Sequence, residues 1–493
     1  MPRRTDRARP HASPPLPPFE RLGVLSAAAA VALALACTLG AYGYHRDELY
    51  FRMLRPAWGY TDQPPLTPLI VHGISRIWDT VEAIRVPPLL LAVASVIVVA
   101  LIAREAGGSR AAQALAAWGY GFGAFTLLPG HVFLTSSVDL VVWPLVVLAV
   151  VRAQLRGEPR WWLLAGLVAG LSLYNKLLVA VLIAAIGLGL LVVGPRRVLL
   201  SPWALGALGL AVLIGVPNLV YQVVNGFPQL ALGAALSADN AGSVRAEAIP
   251  FLALLIGPPL VPFWVAGLVV LIRRPALRPI RFLAVSLLIA VVFVVVAGTQ
   301  FYYEYGLLAA VFAIGCVPVA EFARTRARRI LVVAAVALTG AVNILISLPV
   351  VPVDVLGATP IPVIDQAARD QVGWPRYVAQ VEGVARRAPA GAVVFASNYG
   401  EAGALERFAP ALHTYADHNA LQAYGPPPSG TRSMVVVGYE FDTVRPLFAS
   451  CAVEARLDDG VGVDNEEQGA PVAVCTRPLV SMATFWNRAA HLG

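Results

Sequence analysis

The sequence predicts a polytopic α-helical membrane protein: about eleven transmembrane helices, then a C-terminal extracytoplasmic α/β domain. Three observations predict it. The 493 residues are 58% hydrophobic and only 13% charged, about half the charged share of a soluble chain. Apolar runs of bilayer-spanning length recur through the first 350 or so positions. Beyond them the composition turns polar, and short apolar runs alternate with turn residues.

Residues 1–21 are rich in Arg and Pro and read as a cytoplasmic tail. The apolar run that follows lacks a small-residue cleavage site, so it is expected to remain as the first span, near 22–43. Further spans are expected near 86–103, 111–128, 138–151, 161–174, 178–194, 203–220, 249–271, 282–299, 305–320 and 330–349. Arginines set the orientation. Arg3, Arg4, Arg7, Arg9 and Arg21 precede the first span. Alternate loops repeat the bias: Arg104 and Arg110; Arg152, Arg156 and Arg160; Arg196 and Arg197; Arg273, Arg274, Arg278 and Arg281; Arg324, Arg326, Arg328 and Arg329. An odd number of spans then places 350–493 outside the membrane. The expected domains are the tail 1–21, a membrane domain 22–349 with its first outer loop at 44–85, and a soluble domain 350–493. Because the net charge of +8 is spread over short loops, no nucleic-acid partner is expected.

In the soluble part, "GAVVFASNYG" and "SMVVVGYE" read as buried strands and "EAGALERF" as a short helix. Cys37 and Cys316 fall within spans. Cys451 and Cys475 lie in the polar part, where they either close a disulfide or stay as buried thiols.

Unusual polar groups gather on one expected side. "YHRDELYF" (44–51) opens the first outer loop with His45, Arg46, Asp47 and Glu48 in succession. Asp139 begins span four. Lys176, the single lysine beside 36 arginines, sits in the turn between spans five and six. "PNLVYQVVNGFPQ" (217–229) opens another outer loop, and "TQFYYEYG" (299–306) joins spans nine and ten. Ionisable groups at span ends are costly to keep and are functional candidates. Each also has a plain reading. Asp47 pairs with Arg46, Arg52 or Arg55; Lys176 snorkels to head groups; Tyr302 and Tyr303 form an aromatic belt; Asp139 caps its helix. Within the first loop, Leu49, Tyr50, Met53, Leu54 and Trp58 recur at helical spacing, which predicts a helix lying in the membrane interface. Asp62 follows, before Pro64 and Pro65, so two acids flank that segment.

These segments carry a resemblance. "RDELYF…AWGYTDQPPLTPLI" resembles the first outer loop of bacterial membrane glycosyltransferases of family 39, of the GT-C fold. These are similar to protein O-mannosyltransferases and to the aminoarabinose transferase acting on lipid A. "LPGHVFLTSSVDLVVWPL", "GLSLYNKLLV", "PNLVYQVVNGFPQL", "FYYEYGLLAAVFAIG" and "SNYGEAGALERF…HNALQAYGPPP" resemble later family segments, in order. The resemblance implies an inverting glycosyltransferase of the cell envelope, in the bacterial plasma membrane. It takes a polyprenyl-phosphate sugar as donor and a glycolipid, glycan or protein hydroxyl as acceptor. It implies Asp47 as the general base. Lys176 would lie at the donor phosphate, Tyr302 and Tyr303 at phosphate or sugar, and Asp139, Asp62, Arg46 and Glu48 among the substrate contacts. No cofactor is implied; a divalent metal at His45, Asp47 and Glu48 is the alternative, though the relatives the chain resembles do not need one. The sequence departs from the family at Gln300, where a basic residue is common, and at Glu304, where an apolar one is. Arg46, Arg52 or Arg245 then stand in for the missing cation. The competing class is a transporter or flippase of lipid-linked sugars. Such a protein usually shows inverted repeats and midplane polar groups; here there is no visible repeat, and the polar groups lie at span ends.

Overall fold

The computed structural model describes residues 16–493, so Arg3, Arg4, Arg7 and Arg9 lie outside the described residues. All eleven expected segments overlap helix, although the first helix ends at Ala36 and the segment 249–271 is broken after Leu254. Among the described residues, five helices are long and apolar enough to cross a membrane alone: Val81–Glu105, Thr135–Arg156, Pro202–Val224, Tyr305–Phe322 and Arg326–Ser347. A sixth arises if Ala241–Leu254 and Pro258–Arg273, bent by 72°, count as one span. The bend has a local cause. Gly257 takes a φ of 135°, and Pro258 and Pro259 follow it without the N–H groups a continuous helix needs. Arg21–Ala36, Trp161–Ser172, Val179–Val192 and Phe282–Ala297 are apolar but shorter. Among the described residues, length and composition thus qualify five or six candidate crossings.

One expected loop is mostly helix. Residues 217–229 continue the helix Pro202–Val224, break only at Asn225–Phe227, and re-enter a helix at Pro228–Leu254. The polar stretch "SADNAGSVRAEA" lowers hydropathy, but its alanines favour helix, so apolar runs alone leave the segment between two spans as a loop.

Small residues set the closest crossings. A Cβ on Gly315 would meet the Phe263 carbonyl oxygen at 1.9 Å, and one on Gly267 the Val311 oxygen at 2.1 Å. Helix Val261–Arg273 therefore lies backbone-close to Tyr305–Phe322. The latter is the central pillar, buried without interruption from Tyr305 to Val317.

The C-terminal part holds a five-stranded sheet: β1 (Val393–Ala396), β2 (Thr414–Tyr415), β3 (Ser433–Val437), β4 (Phe448–Arg456) and β5 (Pro471–Pro478), in spatial order β2-β1-β3-β5-β4. The first three are parallel, and β5 is antiparallel to both neighbours. Cys451 and Cys475 are register partners on β4 and β5 and are joined as a disulfide. Alternation along the strands sends Val393, Phe395, Met434 and Val436 to one face, against Phe485 and Trp486. The opposite face, with Val394, Val435 and Val472, shares a core with Leu49, Tyr50, Phe51 and Leu54 of the first loop.

That shared core corrects an expectation. The apolar stripe of the helix Arg46–Met53 is covered by protein, while Trp58 beyond its end stays exposed. Its apolar residues Leu49, Tyr50 and Phe51 are buried beneath the helix Tyr399–Phe408 of the C-terminal domain, hereafter the tail. The apolar stripe was real, but the surface it packs on lies 350 residues further along the chain.

Candidate active site

The helix Arg46–Met53 starts sharply. His45 Nδ1 accepts from the Asp47 N–H at 3.1 Å, and Glu48 accepts from the His45 N–H at 2.8 Å, closing a capping box. Asp47 therefore sits in the first turn, where the helix dipole favours an anion. Its Oδ1 accepts a hydrogen bond from the Tyr399 hydroxyl at 3.0 Å. Burial raises its pKa above the usual carboxylate range, against the opposing pull of Arg46, the Tyr399 hydrogen bond and Lys176.

Lys176 reaches the same place from the turn between Trp161–Ser172 and Val179–Val192. Its Nζ lies 4.3 Å from the Tyr303 ring centre and 5.7 Å from that of Tyr302. Neighbouring Asn175 anchors the turn: its Oδ1 accepts from the Thr67 hydroxyl at 2.7 Å, and its Nδ2 donates to the Thr135 carbonyl at 2.9 Å. Leu66 N–H donates to the Tyr174 carbonyl at 2.8 Å. First loop, span-four start and lysine turn are thus bonded into one unit. Asp139 lines a narrow cavity with Ser136, Trp143, Tyr302, Tyr303 and Tyr305, and its Oδ1 has no hydrogen-bond partner among the described residues. Tyr302 lies within electrostatic reach of Lys176, Asp47 and Asp139. Asp62 accepts from the Tyr50 hydroxyl at 3.1 Å. Burial, reinforced by the charge on Asp47, pushes its carboxyl up to about 7.

Asp47, Asp62, Asp139, Lys176, Tyr302 and Tyr303 therefore converge at one end of the bundle. Two neighbours are held by other partners. Glu48 is fully buried and forms a two-pronged pair with Arg85, Nε to Oε1 and Nη2 to Oε2 both at 3.0 Å; it also accepts from the Phe133 N–H at 3.0 Å. Arg46 pairs with the tail acids Glu466 and Glu467. Arg52 is likewise held, by Asp79 at 2.7 Å and by Glu406, and Arg245 donates to the Val295 carbonyl at 3.3 Å. With these arginines engaged, Lys176 is the cation that faces the cavity tyrosines.

Sequence reasoning missed Arg85 and the placement of Tyr399. Arg85 left one signal: an arginine within an apolar helix, on the side where positive charge was not expected. Tyr399 left a weaker one, the strand–turn–helix pattern of "SNYGEAGAL". There Asn398 accepts from the Glu401 N–H and Glu401 from the Ser397 N–H, at 2.9 and 2.8 Å. Among the described residues no three His, Cys, Asp or Glu side chains are grouped as ligands of a metal ion.

Residues 62–221 match the family described as "Dolichyl-phosphate-mannose-protein mannosyltransferase". No curated protein sequence matches the chain. Among solved structures, ArnT from Cupriavidus metallidurans bound to undecaprenyl phosphate is similar at a TM-score of 0.59 and 14% identity, over 92% of this chain and 97% of that one. The mycobacterial arabinofuranosyltransferase AftD gives a TM-score of 0.53 at 15% identity, over 94% of this chain and 42% of that one. The Archaeoglobus fulgidus oligosaccharyltransferase, tethered with an acceptor peptide, gives 0.50 at 13% identity, over 87% and 70%. At these identities the structural likeness establishes the fold, and the match over 62–221 adds a family signature to the segment holding Asp62, Asp139 and Lys176. The chain thus shares its fold with these membrane glycosyltransferases, and residues 62–221 carry the family's sequence signature.

Proposed function

We propose that this protein is an inverting glycosyltransferase that moves a sugar from a polyprenyl-phosphate donor to a hydroxyl acceptor at the outer face of the membrane. The observation that carries the reading is the convergence of one carboxylate, Asp47, and one ammonium, Lys176, beside the paired tyrosines Tyr302 and Tyr303. An acceptor oxygen attacks the anomeric carbon from the face opposite the phosphate. Its proton passes to Asp47 as the new C–O bond forms. The bond between the anomeric carbon and the phosphate oxygen breaks, and the lipid phosphate leaves with the electron pair. Lys176 offsets the charge that collects there, as a point charge with three donors. Tyr302 and Tyr303 orient the phosphate, while Asp139 and Asp62 hold sugar or acceptor hydroxyls. Charge compensation by Lys176 makes a metal ion unnecessary in this scheme. The ArnT structure with undecaprenyl phosphate supports the choice of donor class.

The same reading counts all eleven apolar segments as crossings, with the broken pair Arg110–Gly121 and Ala124–His131 as one. It places the N-terminus in the cytoplasm and 350–493 outside, in the plasma membrane. The Cys451–Cys475 disulfide fits an oxidising exterior.

The test is turnover in lipid nanodiscs with a panel of undecaprenyl-phosphate-linked sugars. Protein-dependent release of undecaprenyl phosphate supports transfer. Movement of intact lipid-linked sugar between leaflets of vesicles, with no bond cleaved, would make the protein a transporter. Mass spectrometry of envelope glycolipids and glycoproteins, with and without the protein, then identifies sugar and acceptor.

A further inference from the structure

The tail domain is seated on the helix that carries Asp47. A Cβ on Gly403 would sit 2.7 Å from the Leu49 carbonyl carbon, and one on Gly400 3.0 Å from the Arg46 Cβ. Two glycines on one face of Tyr399–Phe408 thus admit backbone-close contact, and the shared core of Leu49, Tyr50, Val394 and Val435 surrounds it. The seat delivers Tyr399, the first residue of the tail helix, to Asp47. Its ring is held on several sides: Tyr50 at 4.7 Å, His418 at 5.0 Å between centroids, and the Arg46 guanidinium at 4.9 Å. Its backbone N–H donates to His418 Nδ1 at 3.2 Å. A ring so confined has little freedom in where it points its hydroxyl, and the hydroxyl meets Asp47 Oδ1 at 3.0 Å.

We propose, resting on the reading of Asp47 as general base, that Tyr399 is a positioning residue supplied by the tail. It holds Oδ1 of Asp47 so that Oδ2 is the oxygen presented to the acceptor hydroxyl, and the site is incomplete until the tail is seated. The tail is then part of the reaction centre rather than an appended domain.

The charged and titratable groups facing Asp47 come from every element around it: Arg46 on its own helix, Lys176 from the turn, Asp62 from the first loop, Tyr302 from the cavity, and Tyr399 and Glu466 from the tail. Of these, the Tyr399 hydroxyl acts by a direct hydrogen bond that favours the carboxylate. Removing it leaves burial less opposed, so Asp47 should take up its proton at higher pH.

The experiment is a pH titration of the full chain in nanodiscs by infrared difference spectroscopy. The carboxyl band of Asp47 is identified by its loss in Asp47→Asn. Tyr399→Phe keeps the ring and its packing. It should raise the midpoint by about one pH unit, the size expected for one hydrogen bond to a charged group. It should also lower kcat with the KM for the lipid-linked donor kept. The exposed tail tyrosine variant Tyr439→Phe should leave the midpoint in place. An unchanged midpoint in Tyr399→Phe overturns the positioning role, as does an equal shift in Tyr439→Phe. Normal sugar transfer by Asp47→Asn overturns the general-base reading itself, so the two failures are distinguishable.

Discussion

At the residue scale, two adjacent acids have opposite fates. Asp47 meets a tail hydroxyl and the field of Lys176, whereas Glu48 is locked to Arg85. Breaking a fully buried pair leaves an uncompensated charge and costs about 3–5 kcal/mol. Glu48→Ala should therefore sharply lower the yield of folded protein in fluorescence size-exclusion chromatography. The double variant Glu48→Ala, Arg85→Met should recover part of it, which a purely local packing defect would not allow. Lys176→Met should weaken binding of undecaprenyl phosphate about 10- to 100-fold, the worth of a charge-assisted contact, with folding retained; equal binding by both proteins would end its proposed role. Lys176 could be singled out from the sequence because one lysine among 36 arginines has no compositional explanation. Arg85 could not be matched to Glu48. Both lie in stretches with several charges, and only the folded path of residues 39–48 around the start of Val81–Glu105 brings them together.

At the element scale, hydropathy located the apolar segments but not their geometry. Gly257-Pro258-Pro259 is visible as a breaker, yet the 72° bend it causes depends on what each half packs against. Closeness of crossing is set by single atoms. Gly315→Val would place methyl groups where the Phe263 carbonyl stands, and overpacking of this kind typically costs about 1–3 kcal/mol or more. A lower melting temperature in detergent is expected; an unchanged one would mean the two helices part without cost. The helix Arg46–Met53 was legible as a helix, and its apolar stripe was legible too. Which surface it covers was not, because a stripe on a helix does not state whether lipid or protein will bury it.

At the scale of the whole molecule, the tail and the membrane bundle meet through buried titratable groups. Burial pushes Asp370 up to about 8, and Glu401, Glu467 and Asp365 to about 7. It holds His45 and His418 down to about 3. The acids take up protons on folding, so their contribution is full below about pH 4 and is lost as pH rises through 7 to 8. The histidines stay neutral on folding, so theirs is full above about 6.5 and is lost as pH falls below it. Between pH 6.5 and 8.5 these four acids lose their protons in the folded state. Thermal unfolding of the tail should therefore move to lower temperature across that window; a constant or rising midpoint would contradict the protonated acids. Reduction of Cys451–Cys475 should lower the midpoint further, since closing a loop of this length stabilises by about 3 kcal/mol.

In the proposed reaction everything turns on Asp47 accepting the proton of the acceptor hydroxyl during sugar transfer. The most direct measurement compares protein-dependent release of undecaprenyl phosphate from a turned-over donor by the parent protein and by Asp47→Asn, at equal incorporation into nanodiscs. Release by the variant should fall by two or more orders of magnitude, in line with the roughly 10²–10⁴-fold worth of a general base, with donor binding retained through Lys176. Release at the parent rate would contradict it.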